Sequence, residues 1–198
     1  MPPSIFLCHD LDHLEVANCF INAPQPFQYP MLLRTLKLSH FILIGNTLEN
    51  LVSNLPLLES LDLSQFAVDR LVICSPGLRR LNIVGRFAAI SLETPKIISA
   101  SIFFNGIPDL MNGGETNNSK FLAELSNIEE LEILILSMFS VYLVSGPIPK
   151  KLQSTYNFLK KIVICMYGRR KARVIKKLLN LPKLSGEGVI LSDLSCSN

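Results

Sequence analysis

Seven times along the chain the spacing apolar-x-x-apolar-x-apolar recurs, and this pattern constrains the fold more than any other feature. It falls at Leu11/Leu14/Val16, Leu33/Leu36/Leu38, Leu58/Leu61/Leu63, Leu78/Leu81/Ile83, Ile97/Ala100/Ile102, Ile128/Leu131/Ile133 and Leu159/Ile162/Ile164. Successive units begin 22, 25, 20, 19, 31 and 31 residues apart. The last two apolar positions of a unit are two apart and share one side of a short strand. The first, three residues earlier, ties the incoming turn to the same core. One unit cannot bury its apolar edge alone, whereas stacked units bury a continuous column. A helix would need apolar positions sustained at i, i+3, i+4 and i+7, and pieces such as LESLDLSQF and LRRLNIVG do not sustain them.

Units of about 20–29 residues with this strand signature are of the leucine-rich type. The expected fold class is therefore an α/β leucine-rich-repeat solenoid: a curved parallel sheet with outer helices and irregular turns. The two 31-residue intervals must hold additional structure. A chain of 198 residues makes one such domain, 1–198, in which 150–198 forms a basic end. Apolar residues at 48% and charged residues at 18% exclude a disordered chain. With 34 leucines, 19 isoleucines and no Trp, the core is aliphatic.

Outer helices are expected at three places. Leu48, Leu51, Val52 and Leu55 form one apolar stripe, with Asn46 as cap, Glu49 three residues on, and Pro56 as stop. A second helix starts at Ser119 and carries Phe121, Leu122 and Leu125. A third runs from about Arg169 to Leu181, with Ala172, Ile175, Leu178 and Leu179 inward. The segment MNGGETNNS, residues 111–119, reads as a loop.

The residues that usually carry chemistry are sparse. Five cysteines (Cys8, Cys19, Cys74, Cys165, Cys196) are odd in number and widely spaced, which supports neither a disulfide framework nor a zinc knuckle and fits a reducing compartment. Cys74 lies in the run LVIC and reads as a small core residue. His9, Asp10, Asp12 and His13 cluster in the turn leading into the first unit, without distant ligands, and read as a solvated turn. The only other histidine is His40. No phosphate-binding loop or nucleophile-elbow motif occurs. No catalytic residue, metal or cofactor is expected. The N-terminal stretch has no basic flank and only a short apolar run, and the uncharged residues 133–149 are too few for a span. A cytoplasmic or nuclear protein without membrane contact is the expectation.

Several phrases together resemble the plant F-box/FBD/leucine-rich-repeat proteins. They are PPSIFLCHDLDHLEVANCFINAPQPF, LENLVSNLPLLESLDLSQF, LVICSPGLRRLNIVG, SKFLAELSNIEELEI and FLKKIVICMYGRRKARVIKKLLNLPKL, in that order. The resemblance implies the target-binding repeats of a ubiquitin-ligase receptor. The F-box that docks a Skp-type adaptor has no counterpart in these residues, so adaptor binding is not expected. The Asn/Cys position three after each unit's last apolar residue holds Cys19 and Asn105. Elsewhere it holds Phe41, Phe66, Arg86, Leu136 and Tyr167, so aromatic packing replaces a hydrogen-bonded ladder.

Charge is uneven: residues 1–149 carry 8 basic and 14 acidic side chains, and residues 150–198 carry 11 and 2. The run Arg169, Arg170, Lys171, Arg173, Lys176 and Lys177 fits a helix that closes the end of a solenoid. A nucleic-acid-binding module is the alternative, and a truncated product without activity of its own is another. The preferred reading is non-catalytic recognition of an unknown target protein on the concave face. Alternation across the pleat puts His13 and Glu15, Thr35 and Lys37, Ser60 and Asp62, Arg80 and Asn82 on that face. Ser99 and Ser101, Glu130 and Glu132, then Lys161 and Val163 continue it.

Overall fold

One backbone arrangement repeats from coil to coil. The carbonyl of Asp12 accepts from the N–H groups of Arg34 and Thr35, that of Arg34 from Glu59 and Ser60, that of Glu59 from Arg79 and Arg80, and that of Arg79 from Ile98 and Ser99. Each coil is thereby aligned on the one before it, and the strands that follow run parallel. The structure, a computed structural model, describes residues 8, 10–21, 32–43, 45–104, 133–137, 161–166 and 189–193. Their strands are β1 (His13–Ile21), β2 (Thr35–Leu43), β3 (Ser60–Cys74), β4 (Arg80–Glu93), β5 (Ser99–Phe104), β6 (Ile133–Ser137), β7 (Lys161–Met166) and β8 (Val189–Asp193). All eight form one parallel sheet in chain order, as a leucine-rich-repeat solenoid requires.

The apolar triplets make the core. Leu33/Leu36/Leu38, Leu58/Leu61/Leu63, Leu78/Leu81/Ile83 and Ile97/Ala100/Ile102 are all buried, at most 2% exposed. In the first coil, which has no coil on one side among the described residues, Leu14 is buried while Leu11 and Val16 are half-buried. Three coils turn into their strands the same way. The N–H groups of Leu58, Leu78 and Ile97 donate to the carbonyls of Leu55, Ser75 and Thr94. Pro56, Pro76 and Pro95 stand second in these turns, where a ring-fixed φ is already right.

Coil length decides what lies on the outside. The 25-residue step from Thr35 to Ser60 holds α1 (Thr47–Ser53), which buries Leu48, Leu51 and Val52. Asn46 occupies the cap position but makes no side-chain cap hydrogen bond, so the expected capping pair does not form. The steps of 20 and 19 residues that follow leave no room for a helix. There the outer leg continues as strand, making β3 15 and β4 14 residues long, paired from Ala67↔Arg86 to Cys74↔Glu93. Leu71 and Ile73 on one strand, with Phe87, Ile90 and Leu92 on the other, fill the core from that side. The outer helix expected at Leu48–Leu55 is present, the next two coils carry strand on the outside, and α1 is the one helix among the described residues. The proposed helices at Ser119 and Arg169–Leu181, and the loop at 111–119, lie outside the described residues.

At the corner between inner and outer legs, the sixth residue of β1, β2 and β3 takes a left-handed backbone: Asn18 at φ 52, His40 at φ 50 and Gln65 at φ 55. This extra residue resets the alternation, so Cys19, Phe41 and Phe66 point back to the core. β4 passes the corner without the bulge, which displaces the pairing by one between Ser64 and Phe66. Plain alternation then turns Gly85 and Phe87 inward and leaves Arg86 exposed. The aromatic column therefore runs Phe41–Phe66–Phe87, with ring centroids 5.1 and 6.5 Å apart and near-parallel planes. Aromatic packing is where it was expected, but Phe87, not Arg86, supplies its third ring.

Candidate protein-binding surface

The register gathers two rows of side chains on the open face of the sheet. His13, Thr35, Ser60, Arg80 and Ser99 form one row; Glu15, Lys37, Asp62, Asn82 and Ser101 form the other. All ten are exposed or half-buried, while Leu14, Leu36, Leu61, Leu81 and Ala100 between them are buried. Neighbouring coils are about 4.8 Å apart, so each row presents one side chain per coil at that spacing.

Charges on this face are largely satisfied by their neighbours. Glu15 lies 3.6 Å from the Lys37 ammonium and 3.8 Å from the His13 imidazole. Asn82 donates an amide N–H to Asp62 at 3.0 Å. Just below, in the turns, Arg34 pairs with Asp12 at 3.4 Å and with Glu59. These pairs are exposed and contribute only about 0–1 kcal/mol each; they set the pattern of charge rather than the stability. Arg80 is the cation of the two rows that no carboxylate among the described residues pairs with.

Beyond β5 the register corrects the sixth unit. Ser99 and Ser101 pair with Ile133 and Ile135, and Ala100 and Ile102 with Leu134 and Leu136. Leu134 and Leu136 therefore take the two strand positions that the spacing gave to Leu131 and Ile133, three residues earlier. Leu136 is a strand residue opposite Ile102 and not a loop position. Glu130 and Glu132 precede β6, outside the described residues, and the positions given to them belong to Ile133 and Ile135. Both placements satisfy the same spacing in the run IEELEILIL, so periodicity had no means of choosing between them; the partner strand does. Lys161 and Val163 do pair with Ile133 and Ile135. An eighth strand follows, with Ile190 beside Val163. Its only sequence signal is the short apolar run of residues 189–191, which lacks a full triplet.

Among the described residues there is no group of three or more His, Cys, Asp or Glu placed to hold a metal ion, and no helix is long and apolar enough to cross a membrane. His13 lies on the open face, in register with Thr35. Cys74 is half-buried on the outer leg, beside Glu93 on β4. Burial foremost, then a hydrogen bond to the Glu93 carboxylate and its charge, hold the thiol above its ordinary pKa. A thiol kept protonated is a poor nucleophile.

Residues 1–101 match a protein family described as "FBD-associated F-box protein At5g56370, LRR repeats". Over 185 residues the chain is 33% identical to the F-box/FBD/LRR-repeat protein At1g13570 of Arabidopsis thaliana. The chain belongs to the F-box/FBD/LRR-repeat family. The alignment covers 91% of this chain and 44% of that relative, so the chain spans less than half of the protein it matches. No solved structure matches the chain. The matched repeats coincide with β1 to β5, the coils that carry the two polar rows. Leucine-rich repeats of this family are protein-interaction modules, and that role follows for this one.

Proposed function

We propose that the coils recognise a target protein through the open, concave face of the sheet, as the substrate-receptor part of an F-box ubiquitin ligase. The observation that carries this reading is the pair of in-register rows, ten polar or charged side chains on one surface, with Glu15 paired to Lys37 and Asp62 accepting a hydrogen bond from Asn82. Such a surface selects a partner by the positions of its charges. Coupling to the ligase would be the work of an F-box and not of these repeats, and a Skp-type adaptor should not bind them.

The test is affinity capture with the full chain, followed by quantitative rebinding of each captured protein to variants. Lys37→Glu and Arg80→Glu should weaken the target, whereas Asp69→Lys on the exposed outer leg of β3 should not. Binding that survives both reversals yet is lost in Asp69→Lys would place the interface on the outer surface and sink the proposal.

A further inference from the structure

The open face carries its charges unevenly. On β1 to β3 each acid of the two rows is engaged: Glu15 lies against Lys37 and His13, and Asp62 accepts from Asn82. The acids of the adjoining turns, Asp12 and Glu59, are both held by Arg34. From β4 to β7 the balance changes. One row runs Arg80, Ser99, Ile133 and Lys161, and the other holds no charged residue. Glu130 and Glu132, the acids expected at this end, fall before β6 and leave its row positions to Ile133 and Ile135. No carboxylate therefore occupies a row position from β4 to β7.

Arg80 is exposed, and so is Arg79 in the turn before it. Neither pairs with a carboxylate among the described residues. A half-face of one sign thus lies beside a half-face that compensates itself. Uncompensated cations on a recognition surface favour and steer a partner of opposite charge. Single-stranded nucleic acid is also anionic, but its binding sites supply aromatic platforms for the bases, and no row position from β4 to β7 holds an aromatic residue.

Arg80 and Lys161 stand three coils apart in one row. At about 4.8 Å per coil this is about 14 Å, the rise of about four residues of extended chain. We propose that the face from β4 to β7 receives an extended acidic segment of the target protein, laid across the strands, with carboxylates about four residues apart opposite Arg80 and Lys161. The proposal rests on the reading of the open face as the recognition surface and adds the chemistry of the segment it takes.

A phage-displayed library of random linear peptides, selected on the immobilised full chain, is the test. Recovered peptides should be enriched in Asp or Glu pairs separated by about four residues. A labelled synthetic peptide of that pattern should bind about tenfold tighter in fluorescence anisotropy than the same peptide with Gln at both acids. Arg80→Gln combined with Lys161→Gln should bring the two peptides to within about twofold of each other. Lys37→Gln, at the compensated end, should leave the difference in place. No enrichment, an acid preference that survives the double variant in full, or tighter binding of a single-stranded oligonucleotide than of the acidic peptide would overturn the proposal. Recovered peptides that lack acids but are released by Lys37→Glu would overturn it and leave the open face as the recognition surface. Peptides released only by Asp69→Lys would sink both readings.

Discussion

Gly85 and Phe66 face each other across the β3–β4 ladder so closely that no side chain fits on Gly85. A Cβ there would lie 2.5 Å from one ring carbon of Phe66 and within 2.8 Å of two others. The ring cannot swing aside, because it is stacked between Phe41 and Phe87. Gly85 is thus required by a close approach rather than by an unusual backbone angle.

Gly85→Ala should therefore destabilise the chain by about 1–3 kcal/mol through overpacking. Adding Phe66→Leu should recover part of that loss, since the smaller side chain leaves room for the methyl group. Chemical denaturation of the two single variants and the double variant measures the coupling. Additive effects would mean that the ring and the glycine do not meet.

Leu61 and Leu81 lie in adjacent coils, 1% and 2% exposed, as register partners in the core. Truncating either to Ala should cost about 2–5 kcal/mol, the range for a buried leucine that leaves a cavity. Near-neutral denaturation midpoints for both would remove the stacked-coil architecture.

Thr94 is 2% exposed, and its hydroxyl oxygen has no hydrogen-bond partner among the described residues. Thr94→Val keeps the shape and removes a buried polar atom, so it should stabilise the chain by about 1 kcal/mol. A fall in stability would show that the hydroxyl is satisfied in solution.

The raised pKa of Cys74 gives a dependence of definite sign. Folding favours the neutral thiol, so this contribution is fully present below the unfolded pKa and disappears as pH rises through the higher folded value. Stability should fall in the alkaline range more in the native chain than in Cys74→Ser. Glu93→Gln removes the carboxylate's share of the shift and should speed alkylation of Cys74 at a fixed alkaline pH. The exposed Cys8 serves as the internal reference in mass spectrometry. An unchanged rate would show that Glu93 does not bear on the thiol.

The parallel sheet was legible from the triplets because burial in a solenoid acts on one short segment at a time. Leu33, Leu36 and Leu38 meet their equivalents in the next coil at the same three positions, and the spacing records that demand directly. The two polar rows of β1 to β5 followed from the same alternation. The third ring of the aromatic column did not, because whether Arg86 or Phe87 faces inward depends on the bulge at Gln65, and β4 has no such bulge.

What the sequence by itself determined, then, is the repeating strand, the aliphatic core and the side of each early strand that faces water. Tertiary structure alone decided the register at β6, where overlapping triplets in one apolar run are equally good and only pairing with Ser99 and Ser101 selects Ile133 and Ile135. It also decided the outer legs, helix after β2 and strand after β3, because coil length matters only once the neighbouring coils are in place. A cleft beside Ile42 and Ala67 is the product of that mismatch. Local periodicity encodes what each coil buries against the common core; it carries no record of how two unlike coils fit side by side.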